Sequence, residues 1–303
     1  MEKLKNAALA LLLVLFAAAL LRYPGEAADA ARQGLALCLQ TVLPSLFPFF
    51  VLSSLLVALG GAEALACALE PMMRPLFHLS GAGAAALALG LVGGYPVGAR
   101  TAAELYRSGT LSRAEAERLL SICSNAGPGF ILGVCGAAVL HSARAGVYLC
   151  LVHAASAVLT GVMLCRLTGA ERSASPPRRR AQAQRPAAAF PAAVRDSFAA
   201  AWSVCGFVVL FAVIVRPVSA LLPGRPMLIG LIELTNGVLS LPAGRGGFVR
   251  CAVLLGWGGL SVHAQTLSVL DETGLSPRRY FLGKAVQAAL SAPLAMLAAA
   301  RLY

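Results

Sequence analysis

Charge is what this sequence has least of. Asp, Glu, Lys and Arg together make up 13% of its 303 residues, against about 25% in an ordinary soluble domain. With 58% hydrophobic residues and a mean hydropathy of +0.77, the chain has too little polar surface to clothe a soluble globule and reads as an integral membrane protein. Paired cysteines are lacking as well. The eight cysteines, at 38, 67, 123, 135, 150, 165, 205 and 251, stand singly in or beside apolar stretches. Without any CxxC spacing, neither a zinc ribbon nor a dithiol redox motif is supported, and the thiols serve as small hydrophobes. Histidine is equally sparse, and His78, His141 and His153 offer no ligand spacing around His263, so no metal site is expected. No cofactor is expected either.

What the sequence does have is apolar length. Runs near the roughly 20 residues needed to cross about 30 Å of hydrocarbon lie at 4–21, 35–60, 81–99, 119–141, 145–165, 198–222, 226–243, 247–270 and 280–300. The first run has a basic start like a signal sequence but outlasts a typical h-region and ends in "RYPGEAAD", which reads as a retained helix. The formal charge of +12 comes almost wholly from arginine. In a soluble protein it would point to nucleic acid; here it marks topology, because basic residues collect in cytosolic loops, and no nucleic-acid partner is expected. The densest cluster, Cys165 to Pro186, holds six arginines against Glu171 alone, among Pro, Ser, Ala and Gln. It reads as a cytosolic linker over 166–195 that divides a first membrane unit, 1–165, from a second, 196–303.

The two halves repeat a pattern. "GGYPVGAR", Gly93 to Arg100, aligns with "GGLSVHAQ", Gly258 to Gln265, sharing both glycines, the valine and the alanine. Helix breaks at such depth free backbone N–H and C=O groups, tolerable only where protein or a water-filled cavity satisfies them. Two repeats with Gly/Pro-interrupted segments are the sequence pointer to a secondary transporter whose site lies between broken helices. "GTLSRAEAERLL" carries a capping box, Ser112 with Glu115, and predicts a helix beginning near Arg113. The segment that follows is interrupted in turn at Ser124, Asn125, Gly127, Pro128 and Gly129.

Polar groups inside the apolar runs are the candidate site. Glu233 and Asn236, three residues apart in "LIGLIELTNGVLSL", share a helical face. The carboxylate is either a substrate, cation or proton site or the partner of an arginine such as Arg216 or Arg250. Ser261, His263 and Gln265 line one side if their segment is extended and do not face together if it is helical. Ser124 and Asn125 either bind a ligand or join helices. Arg100 is an anion contact or a topology marker paired to Glu104, and Tyr95 stacks on a ligand or sits at the interface. Gly259-x-Ser261 begins like a nucleophile elbow but lacks its last glycine and its strand-turn-helix context. No enzyme is read here.

Three blocks, "GGYPVGARTAAELYRSGTLSRAEAERLLSICSNAGPGFILG", "GLIELTNGVLSL" and "LGWGGLSVHAQTLSVLDETGL", resemble in order those of the YlbJ-type (SpoVV) sporulation integral membrane proteins, which carry nucleoside-recognition Gate domains. The resemblance implies similarity to concentrative nucleoside transporters: an all-α polytopic membrane fold of two inverted repeats, each with a re-entrant hairpin and a broken helix. It also implies a part in endospore formation, moving dipicolinic acid across the outer forespore membrane. Gly94, Tyr95, Pro96, Ser124, Asn125, Asn236, Ser261, His263 and Gln265 match the family blocks and, with Arg100, are the candidate substrate contacts. Glu233, which would repel a dianion, is the candidate site for a coupling H⁺ or Na⁺. The rivals are a nucleoside or cation permease of the same fold and a non-transporting sporulation scaffold.

Overall fold

The computed structural model describes residues 2–167, 185–221 and 223–303, all of whose regular structure is helical. The all-α polytopic class that the resemblance implies therefore holds. The arginine cluster at 172–180 lies outside the described residues, and helix already resumes at Pro186, within the stretch read as linker.

Helix α1 (Glu2–Arg22) leads into α2 (Pro24–Leu37), which continues through π-helical Cys38–Val42 into α3 (Leu43–Ala58). Then come α4 (Gly61–Phe77), a 3₁₀ turn at Gly81–Gly83, α5 (Ala84–Gly93) and α6 (Val97–Arg107). Helix α7 (Arg113–Cys123) ends in an irregular segment, 124–127, after which helix resumes at Pro128 and continues as π-helical Phe130–Val139, followed by α8 (Ala143–Leu167). After the linker follow α9 (Pro186–Leu221), α10 (Pro226–Ile232), α11 (Leu234–Leu239), α12 (Arg245–Trp257), α13 (Gly259–Asp271) and α14 (Arg278–Leu302). Among the described residues four spans are long and apolar enough to cross a membrane: α8, Pro186–Ser219 of α9, α12 with α13, and α14. The pair Cys67–Phe77 and Gly81–Gly93, bent by 102°, makes a fifth if counted as one span. Several of the nine apolar runs thus become shorter elements: the 81–99 run turns back on itself, and 226–243 holds α10 and α11.

The turns are built on glycine. Gly90 and Gly98, eight residues apart, would stand about 12 Å apart along one helix. Instead a Cβ at Gly98 would lie 2.9 Å from the Gly90 Cα, so α5 and α6 fold back as a hairpin. The carbonyl of Cys123, at the end of α7, fills the notch between the arms, where a Cβ on either glycine would collide with it. In the second half Gly230 and Gly237 meet in the same way, and α10 and α11 form the matching hairpin around Glu233. Each hairpin tip then rests on the interrupted helix that follows it. A Cβ at Gly94 would stand 2.8 Å from the Gly127 nitrogen, and one at Gly259 would stand 3.0 Å from the Gly230 carbonyl oxygen.

Each half therefore runs hairpin, interrupted helix, long helix, and the long helices α8 and α14 pack on one another. This changes the internal alignment. "GGYPVGAR" is a hairpin tip, whereas "GGLSVHAQ" is an interruption within a run-on helix, so the structural counterpart of Gly94–Pro96 is Glu233 and that of Gly258–Gly259 is 124–127. The shared letters reflect a common need for small residues where backbones touch. The capping box forms as expected: Glu115 N–H donates to Ser112 Oγ (3.3 Å), Ser112 N–H donates to Glu115 Oε2 (3.1 Å), and α7 begins at Arg113.

Candidate functional site

Interrupted helices leave backbone groups that need partners in an apolar medium, and in this chain side chains supply them. At the 124–127 interruption, the Ala126 N–H donates to His153 Nε2 of α8 (3.0 Å), and Asn125 Nδ2 donates to the Ile122 carbonyl (2.8 Å). The Ser124 carbonyl accepts from Lys284 Nζ of α14 (3.0 Å). At the second hairpin tip Glu233, in extended conformation, accepts from the N–H groups of Thr235 (3.1 Å) and Asn236 (2.7 Å) and from Asn236 Nδ2 (2.8 Å). It pairs with neither Arg216 nor Arg250, the two arginines that the sequence offered as partners. At the third interruption Gly258 and Gly259 adopt φ of 96° and 81°, which only glycine takes without strain. The Leu255 carbonyl just upstream accepts from Tyr95 Oη (2.6 Å).

Tyr95 is thus one of the bonds between the halves: it leaves the first hairpin tip and ties down a carbonyl of the second half's interrupted helix. Tyr95→Phe removes that donor and strands a buried carbonyl, a cost of about 1–3 kcal/mol. The expected result is a lower melting temperature for the detergent-solubilised protein with secondary structure intact by circular dichroism; an unchanged melting temperature would show that the bond is dispensable.

Between the tips lies a cavity of about 230 Å³. Its polar wall comprises Gly94, Tyr95, Glu233, Thr235, Ser261 and Gln265, and Phe49 and Phe130 contribute apolar surface. Glu233, Thr235 and Val208 also line a second cavity of about 290 Å³, which reaches Gly34, Arg216 and Asn236 between α2 and α9. The Glu233 carboxylate, 4% exposed, stands in the wall between the two.

The remaining expected site residues are placed elsewhere. Pro96, joined to Tyr95 by a cis peptide, is buried at the hairpin tip. Arg100 points away from the central cavity: its Nε bonds Glu104 (2.9 Å), Nη1 donates to the Asp196 carbonyl (3.3 Å), and the guanidinium lies 5.4 Å from the centre of the Phe50 ring. Ser261 and Gln265 face the cavity together because their segment is helical and they sit one turn apart. His263, on the opposite side, meets Tyr280 Oη through Nδ1 (2.7 Å) among Trp257 and Phe281. Ser124 and Asn125 are buried behind the cavity wall, facing α14, where Asn125 Oδ1 accepts from Gln287 Nε2 (3.0 Å).

One residue escaped the sequence reading. Lys284 is fully buried, donates to the Ser124 carbonyl and to Gln287 Oε1 (2.8 Å), and lies 5.1 Å from the centre of the Tyr95 ring. A signal was present: the chain has three lysines, and this is the only one beyond residue 5, inside an apolar run. Among the described residues no group of three or more His, Cys, Asp or Glu is placed to hold a metal.

Two back-folded hairpins whose tips meet interrupted helices define an all-helical polytopic membrane protein, and the comparisons agree with that class. Residues 39–163, from the π-helical turn through α8, match the family model described as Gate, nucleoside recognition. Over its whole length the chain is similar to the sporulation integral membrane protein YlbJ of Bacillus subtilis (strain 168): 28% identical over 347 aligned positions, covering 100% of this chain and 85% of that protein. No solved structure matches it. The resemblance drawn from the three sequence blocks stands.

Proposed function

We propose that this chain is a membrane transporter of endospore formation that moves dipicolinate, a small aromatic dianion, across the outer forespore membrane by alternating access. The single observation that carries the reading is the central cavity between two hairpin tips, the position at which transporters of this architecture hold their substrate. Its lining suits an aromatic dicarboxylate: Tyr95 offers a ring face, Ser261 and Thr235 offer hydroxyl donors, and Gln265 an amide. Glu233 is the one acidic group in the wall and is assigned the coupling H⁺ or Na⁺, whose charge would offset its repulsion of the ligand.

A nucleoside is the second reading, favoured by the description of the family that matches residues 39–163. Competition separates the two. Equilibrium binding of radiolabelled dipicolinate to purified protein is expected to saturate and to resist displacement by uridine or adenosine. Displacement by nucleosides at lower concentration than by unlabelled dipicolinate would reverse the assignment. Absence of binding by either class would leave the sporulation scaffold.

A further inference from the structure

Lys284 has no part in the cavity, yet it is among the most costly residues in the molecule to bury. Its ammonium is enclosed without a carboxylate among the described residues: the partners are a backbone carbonyl, a side-chain amide oxygen and an aromatic face. Each points its negative side at Nζ. Ser124 closes the C-terminal end of α7, where the helix dipole adds partial negative charge. Gln287 is oriented by Asn125, which takes its Nε2 proton and leaves Oε1 for the lysine. The ring of Tyr95 supplies its π-face, while its hydroxyl is held by Leu255. Close approach of α14 to α7 makes this reachable: at Gly283 a Cβ would collide with the Ser121 carbonyl, so no larger residue lets the two helices meet there.

An unwound carbonyl at a half-helix C-terminus, an amide oxygen and an aromatic face are the kind of ligands that hold a small monovalent cation in broken-helix transporters. We propose that these groups form a monovalent-cation site between the first hairpin tip and the α7 interruption, and that the chain fills it with its own cation, the Lys284 ammonium. The tethered charge locks the hairpin to the interrupted helix without a dissolved ion. Shortening Lys284 opens the site to a small cation from solution. This inference concerns what holds the two elements together and is independent of which substrate the central cavity takes.

The test is thermal unfolding of the full-length protein in detergent, followed by tryptophan fluorescence, in sodium, potassium, n-propylammonium or choline chloride at one ionic strength. Wild type is expected to melt at the same temperature in all four. Lys284→Ala is expected to melt roughly 5 °C lower in choline, the size of a stranded buried carbonyl, and to recover at least half of that loss in sodium, potassium or n-propylammonium. Lys284→Met, which fills the space of the stem but carries no charge, should show the loss and no recovery. Stabilisation of wild type by sodium or potassium over choline would show that a mobile ion shares the site and would overturn the inference. So would a Lys284→Met protein that melts at or above wild type, or a Lys284→Ala protein that no small cation restores. Should Lys284→Ala fail to fold, wild type and Lys284→Met decide the matter.

Discussion

We expect Glu233→Gln to abolish gradient-driven accumulation of dipicolinate in proteoliposomes while leaving binding of the ligand intact or stronger. The carboxylate sits in the wall between the two cavities and accepts three N–H donors from Thr235 and Asn236. A glutamine of the same shape can still accept through one oxygen, but its amide nitrogen confronts a donor. With no carboxylate left to carry the coupling ion, accumulation is expected to fall to the level seen without a gradient. The fold suffers less: a weakened cap costs about 1 kcal/mol. Binding and transport therefore separate. On the proposed reading, removing the negative charge would favour an anion in the cavity, and removing the carboxylate would stop its uphill movement. If accumulation persists at the wild-type level, coupling resides elsewhere and the carboxylate is only the cap of α11.

Gly98→Ala is expected to have the largest effect on the fold itself. The added methyl would collide with the Cys123 carbonyl and press on Gly90 across the hairpin. Each of these obstacles is backbone, which cannot rotate aside. Overpacking of this kind costs about 1–3 kcal/mol where side chains yield and more where they do not, so a loss of about 3 kcal/mol or more is expected. It should appear as low yield of folded protein and a melting temperature lower by roughly 6 °C or more. Gly206→Ala is the matched control, since Gly206 lies in helix α9 with nothing within 4 Å of its added Cβ. If Gly98→Ala proves no worse than that control, the hairpin arms do not meet as described.

Much of this was legible in the residues, and the reasons differ from place to place. The membrane class follows from scarce charge and long apolar runs, because solvation energy acts on composition directly. The start of α7 was readable because a capping box is a local device, complete within four residues. For Ser261, His263 and Gln265 the residues left an extended and a helical case open; the segment is helical, which keeps Ser261 and Gln265 on the cavity and turns His263 away. What stayed hidden depends on contacts distant in sequence. A glycine pair marks a break but does not say whether the chain turns back or runs on; that depends on what fills the notch, the Cys123 carbonyl at Gly98 and the Gly230 backbone at Gly237. Arg100 had two candidate roles in the sequence, and it is α9, through the Asp196 carbonyl, that holds its Nη1 away from the cavity. Lys284 drew no reading from the sequence because its partners, Ser124 and Tyr95, lie 160 and 189 residues earlier.

The central claim is that a small anion crosses the membrane through the cavity between the hairpin tips. Uptake of radiolabelled dipicolinate by proteoliposomes holding the purified protein, with inward H⁺ or Na⁺ gradients and with none, tests it most directly. The account predicts concentrative uptake under one of the gradients, absent from protein-free liposomes and lost in Glu233→Gln. A folded, reconstituted protein that takes up nothing under any gradient would contradict it.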